Sequence, residues 1–128
     1  MAFSHIPDPL PPEGFALPVD EIQGSFLTWG FLPGHSRNDL NPRLVLYPDR
    51  LEIKVVTASI YEYTAIKRVD YRPAGWLRQE RVAIYLNSAN QAIYSFIPSS
   101  TAIRRAFLQF CQQRGWKLSG AALLALSQ

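Results

Sequence analysis

The fold of this chain is decided by residues 98–115, PSSTAIRRAFLQFCQQRG. Apolar side chains recur there at the spacing of one helix face; they are Ile103, Ala106, Phe107, Phe110 and Cys111. Pro98 and the two serines after it form a helix-start signal, and Gly115 stands where helices commonly end, directly after Arg114. The segment therefore predicts one amphipathic helix that begins near Ser100.

The residues before this helix carry strand patterns instead. Arg81–Leu86 and Gln91–Ile97 predict a hairpin, and Leu51–Val55 alternates apolar and charged residues as a half-buried strand does. Further strands are predicted for Ser25–Leu32, Arg43–Tyr47, Ser59–Tyr63 and residues 66–71. The stretch Pro33–Asp39 is rich in turn-forming residues and is predicted to be a loop.

The order of these elements, strands first and one helix last, predicts the fold class. We expect an α+β protein in which an antiparallel sheet curls into a partly open barrel, capped by the C-terminal amphipathic helix. The predicted domain spans residues 15–118. Residues 1–14 hold four prolines and are predicted to be an extended leader, and residues 119–128 a C-terminal tail.

Length and composition are typical of a single soluble domain. The chain has 128 residues, of which 48% are hydrophobic and 18% charged. Its one cysteine cannot form an internal disulfide, and no apolar run approaches the roughly 18 residues that a transmembrane helix needs. We therefore expect a cytoplasmic protein that is either free or peripheral to a membrane.

Charge is distributed unevenly along the chain. Residues 1–40 hold one base and five acids, a net charge of −4, whereas residues 41–128 hold twelve bases and five acids, a net charge of +7. An anionic partner for the second part is therefore physically reasonable. The alternative is that the acidic leader folds back over the basic body and neutralises it.

The candidate ligand-binding residues lie between Lys67 and Arg81. They are Lys67, Arg68, Arg72, Trp76, Arg78 and Arg81. Apolar side chains at the tip of a loop can enter a bilayer interface while neighbouring bases contact anionic headgroups. Alternatively, Trp76 packs back onto the barrel and the bases form a solvated face. Single-stranded nucleic acid would also suit bases and aromatics, but most aromatics here fall at strand positions expected to be buried, which counts against it.

Residue types needed for catalysis or metal binding occur in no recognisable arrangement. His5, His35 and Cys111 are far apart in sequence, and no metal site or cofactor is predicted. Cys111 lies on the apolar helix face and is predicted to be a buried, inert thiol. Ser36 and Asp39 could complete a hydrolase triad with His35, but adjacent residues in a loop rarely reach that geometry, and loop capping is favoured. We therefore predict that this protein is not an enzyme.

The sequence also resembles the PH-like superfamily, which includes pleckstrin-homology and GRAM domains and bacterial relatives. The resemblance covers Arg43 to Trp116 and rests on the patterns of Leu46–Ile53 and Tyr63–Val69 and on the closing helix. It implies a seven-stranded bent barrel capped by one helix, and binding of lipid headgroups or protein segments without catalysis. The clustered bases of phosphoinositide-binding members, in the loop after the first strand, are not evident here.

The sequence thus predicts a non-catalytic binding module whose partner is an anionic lipid surface or a protein segment. Two alternatives stay open. One is a self-associating protein-interaction domain that pairs an exposed sheet edge with another strand. The other is a small enzyme with a pocket inside the curled sheet.

Overall fold

The structure, a computed structural model, describes residues 5–28 and 31–128. These residues form an α+β fold with nine strands in two antiparallel sheets, followed by two helices. The predicted fold class, a curled antiparallel sheet closed by a C-terminal helix, is confirmed.

The first sheet has the strand order β1-β4-β5-β6. Its strands are β1 (Phe15–Ala16), β4 (Arg43–Leu46), β5 (Arg50–Lys54) and β6 (Ala58–Glu62). The alternation predicted for β5 is present, because Leu51 and Ile53 are buried and the charged residues between and beside them are not. A tight turn joins β4 to β5, where the amide of Tyr47 donates to the carbonyl of Arg50 over 2.8 Å.

The second sheet has the order β3-β2-β9-β8-β7. Its strands are β2 (Val19–Thr28), β3 (Leu32–Asn38), β7 (Ile66–Arg72), β8 (Arg81–Leu86) and β9 (Ile93–Pro98). The predicted hairpin is confirmed by the pairing of β8 with β9, in which Val82 opposes Phe96 and Ile84 opposes Tyr94. A short 3-10 helix, Tyr63–Ala65, leads from the first sheet into the second.

The prediction of a loop at Pro33–Asp39 was wrong, because most of this stretch is strand β3. It pairs with β2 along its whole length, from Ile22 opposite Asn38 to Thr28 opposite Leu32. The turn-forming residues fit the strand for local reasons. Gly34 leaves room for the ring of Phe26, which would overlap a Cβ at that position, and the proline lies on an edge strand, where its missing N–H is tolerated.

The first predicted strand, Ser25–Leu32, does not coincide with a single strand of the structure. Its N-terminal part belongs to β2, which begins earlier, at Val19, and its last residue, Leu32, begins β3. Trp29 and Gly30, which fall within the predicted strand Ser25–Leu32, lie outside the described residues.

The amphipathic helix is present as α1 (Thr101–Gln113). The hydroxyl of Ser100 accepts a hydrogen bond from the amide of Ile103 over 3.3 Å, and Gly115 follows the helix with a φ of +76°. Phe107 and Phe110 are buried, and the ring of Phe107 meets that of Phe96 edge to face at 5.2 Å. The helix therefore covers the interior face of the second sheet as predicted. Cys111 is fully buried, and this burial raises the pKa of its thiol.

Both terminal segments contact the body formed by residues 15–118. Leu10 of the leader is buried in the core. The tail contains a second helix, α2 (Gly120–Ala125), whose Ala122 and Ala125 are fully buried. These two segments therefore add apolar contacts to the core.

Candidate functional site

The loop that joins β7 to β8 forms a narrow projection at one end of the second sheet. From the pair Arg68 and Tyr85 the strands stay in register up to the pair Arg72 and Arg81. Beyond that pair, Gly75 and Arg78 exchange backbone hydrogen bonds of 3.0 and 3.5 Å, which places Trp76 and Leu77 at the tip. A Cβ at Gly75 would lie 2.9 Å from Nε of Arg78, so glycine allows the arginine side chain to cross the turn.

Both apolar residues of this tip lie in solvent. Trp76 is 94% exposed and Leu77 is 83% exposed. The alternative in which Trp76 packs back onto the barrel is therefore wrong. Large apolar side chains next to each other at a loop tip gain nothing for the stability of the fold, which marks the tip as a candidate contact surface.

Two of the five basic residues in the predicted binding set lie next to the tip. Arg72 and Arg78 are exposed, and among the described residues neither forms an ion pair with a carboxylate. We refer to Arg72, Trp76, Leu77 and Arg78 as the tip cluster. It combines two apolar side chains and two positive charges on one loop.

The remaining predicted bases are placed differently. Lys67 and Arg68 lie at the other end of β7. They are four to five residues from Arg72, which corresponds to about 13–17 Å along a strand. Arg68 lies over the ring of Tyr85, 3.9 Å from its centroid, and contacts Asp70 at 3.5 Å. Arg81 is adjacent to the tip but binds Glu21, and burial lowers its pKa. The structure therefore brings together only part of the predicted set.

A partly buried hydrogen-bond network supports the base of the loop. Glu80 accepts a hydrogen bond from the hydroxyl of Tyr71 over 2.7 Å and another from Nη1 of Arg104 over 3.1 Å. Burial, and secondly the hydrogen bond to Glu80, raises the pKa of Tyr71. Arg104 projects from α1, so the network fixes the root of the loop against the capping helix.

Sequence reasoning missed this network and the role of Glu21. Arg104 is charged and is not among the residues of the apolar face predicted for α1, yet it is buried. Its partners come from distant parts of the chain, so no local pattern could have indicated them. The available signal was Glu80 itself, an acid that stands between Arg78 and Arg81.

A groove of about 370 Å³ runs across the outer face of the second sheet beside the tip cluster. Its lining includes Gln23, Asp70, Arg72, Arg81, Tyr85 and Ser95. A second groove, of about 270 Å³, opens between the two sheets, where the hydroxyls of Tyr61 and Tyr94 are 2.8 Å apart. A third, of about 470 Å³, lies between the leader and α1.

The side chains of His35, Ser36 and Asp39 do not converge into a catalytic triad. His35 and Ser36 are consecutive in β3, so their side chains point to opposite faces of the sheet. Asn38, not Ser36 or Asp39, caps the turn that follows, because its side-chain oxygen accepts from the amides of Leu40 and Asn41 at 3.0 Å each. Within residues 5–28 and 31–128, no three His, Cys, Asp or Glu side chains are grouped as metal ligands.

Neither a protein-family model nor a curated protein nor a solved structure matches this chain. The resemblance to PH-like domains therefore stays a prediction. None of the helices in the described part of the chain is both long and apolar enough to cross a membrane.

Proposed function

We propose that this protein is a non-catalytic binding module that docks on an anionic membrane surface through the tip cluster. The observation that carries the proposal is the exposure of Trp76 and Leu77 between two unpaired arginines. Indole rings are favoured at the membrane–water interface, and each surface base adds on the order of 1 kcal/mol of attraction to anionic lipid. The combination supports a weak, reversible and salt-sensitive association.

The rigid root of the loop supports the same proposal. The Glu80–Tyr71–Arg104 network fixes the strand ends, so the tip is presented without much loss of conformational freedom on binding. The acids near the tip do not oppose docking strongly, since Asp70 is paired with Arg68 and Glu80 with Arg104.

Sedimentation with liposomes tests this proposal. The protein should co-sediment with vesicles of phosphatidylcholine and phosphatidylserine, and much less with phosphatidylcholine alone, and added salt should weaken binding. Trp76→Ala with Leu77→Ala should reduce the partition coefficient by roughly thirtyfold or more, since burying one large apolar side chain contributes about 2 kcal/mol. Arg78→Glu should reduce it by about tenfold.

Two control variants make the test specific. Lys54→Glu changes the net charge as Arg78→Glu does, but lies on β5 of the other sheet, and Leu40→Ala with Val56→Ala removes exposed apolar residues elsewhere. Both should bind as the unaltered protein does. Equal loss in the control variants, or no preference for anionic vesicles, would contradict the proposal.

Self-association is a second candidate, favoured by the outer edges of β3 and β6. Among the described residues, no strand pairs with either edge, and Ile60 of β6 is exposed. Pro33 weakens the case for β3, because it offers no N–H to an added strand. Light scattering would decide, since this candidate requires an oligomer that grows with concentration and is unaffected by Arg78→Glu.

A further inference from the structure

Helix α2 buries its small residues and exposes its large ones. Ala122 and Ala125 pack against the body and are fully buried, whereas Leu123 is 50% exposed and Leu124 is 69% exposed. A short surface helix usually buries its leucines, because their apolar area contributes most to the core. Two adjacent exposed leucines on a helix that is itself held by alanines therefore indicate a contact surface.

The chain places α2 at the same end of the molecule as the tip cluster. Residues 117–119 run parallel to β7 along its free edge, where the amide of Val69 donates to Lys117 over 2.8 Å and the amide of Ser119 donates to Val69 over 3.0 Å. Because β7 runs toward the β7–β8 loop, the parallel segment also runs toward it. Helix α2 begins directly afterwards, at Gly120.

Arg104 links the far end of α2 to the root of the loop. One guanidinium nitrogen, Nη1, donates to Glu80, and the other, Nη2, donates to the main-chain oxygen of Gln128. The residues that follow α2 and the residues that end the loop therefore meet at a single side chain. This contact holds the segment that follows α2 next to the root of the loop that carries Trp76.

Charge at this end of the molecule favours one kind of partner. Arg72 and Arg78 are exposed without a carboxylate, while the nearby Asp70 and Glu80 are each paired with an arginine. Four exposed large apolar side chains together with uncompensated positive charge complement the interface of an anionic bilayer.

We propose that Leu123 and Leu124 of α2 form a second insertion element, which enters the same anionic membrane surface as Trp76 and Leu77. This inference rests on the proposed function and extends it from a single loop to a two-element docking face. Each pair of apolar side chains alone buries little area in a membrane. Insertion of both pairs together strengthens the binding of a protein that has few unpaired bases to anionic vesicles. Simultaneous engagement of two linked elements multiplies their effects.

The test uses vesicles of phosphatidylcholine and phosphatidylserine and the variant Leu123→Gln with Leu124→Gln, which retains good helix formers. The partition coefficient should fall by about tenfold, since the exposed area removed is close to that of one leucine. The matched control is Leu40→Gln with Val56→Gln, two exposed apolar residues near the opposite edge of the second sheet, where Asn38 of β3 donates to the carbonyl of Val55, and it should bind unchanged. Thermal melting of each variant checks that it is folded.

A second measurement does not depend on the stability of the double variant. An environment-sensitive fluorophore on Leu124→Cys should brighten when these vesicles are added, and the same label on Leu40→Cys should not; the native Cys111 is buried and should not react. If the tip variant loses binding while the α2 variant and the Leu124 label are unaffected, the inference is overturned and the proposed function stands. If the unaltered protein does not bind at all, the proposed function fails, and this inference fails with it.

Discussion

At the scale of single residues, the buried carboxylate of Glu21 is the shared partner of two arginines, Arg37 and Arg81. Glu21 lies on the outer face of the second sheet, where its carboxylate accepts hydrogen bonds from Arg37 and Arg81. The Glu21 side chain is 5% exposed and that of Arg81 is 14% exposed, whereas the Arg37 side chain is 59% exposed. The two arginines therefore differ in how much they need this carboxylate.

Replacing Glu21 with alanine should be far more damaging than removing the exposed partner. Glu21→Ala leaves Arg81 charged and largely buried without its acid, which should lower the free energy of unfolding by about 3 kcal/mol. Arg37→Ala should cost less than about 1 kcal/mol, because its side chain lies mostly in water. Urea denaturation of the two variants measures the difference, and equal losses would show that Arg81 does not rely on Glu21.

At the scale of elements, strand β3 depends on a close approach between Gly34 and Phe26. A methyl group on Gly34 would overlap the phenyl ring, which packs on the interior side of β2. Gly34→Ala should therefore lower the free energy of unfolding by about 1–3 kcal/mol, the usual cost of overpacking. Gly120→Ala is the control: nothing lies within 4 Å of its added methyl group, so stability should not fall. Thermal or urea denaturation that shows no loss for Gly34→Ala would mean that β3 can separate from β2.

The elements differ in how far their sequences alone could predict them. Helix α1 and the β8–β9 hairpin follow from local periodicity, so their patterns were sufficient. Strand β3 has no such pattern, since it is made of turn-forming residues and exists because β2 offers a long partner. The tip cluster was recognised from its composition, but the separation of Lys67 from Arg72 and the capture of Arg81 by Glu21 depend on tertiary pairing.

At the scale of the whole molecule, the acidic N-terminal part does not neutralise the basic remainder. Among the residues that the structure describes, Glu21 is the one acid of residues 1–40 that forms an ion pair with a base beyond residue 40, namely Arg81. Asp39 contacts Arg37, which belongs to the same part, and Asp20 accepts from the uncharged Ser99. The positive charge of the body thus stays available to an anionic partner, as the proposed function requires.

The core also places several tyrosine hydroxyls in surroundings that disfavour ionisation. Burial raises the pKa of Tyr63 from 10.0 to about 12, against a smaller opposing effect of Arg114. Burial, and secondly the hydrogen bond with Tyr94, raises the pKa of Tyr61 even further. The two rings have different surroundings: Tyr63 lies beside Phe110, and Tyr61 lies at the opening between the sheets.

Stability should therefore fall in alkaline solution. Between pH 10 and pH 12 the unfolded chain loses the proton of Tyr63 while the folded chain keeps it, so the unfolded state binds fewer protons and the free energy of unfolding decreases as the pH rises. This residue alone should contribute a loss of about 2 kcal/mol across that range. Tyr63→Phe should be less stable near neutral pH, because it lacks the hydrogen bond to the carbonyl of Tyr47, yet its stability should decline less steeply above pH 10. Urea denaturation at several alkaline pH values gives both slopes, and parallel slopes for the two proteins would contradict the assignment to Tyr63.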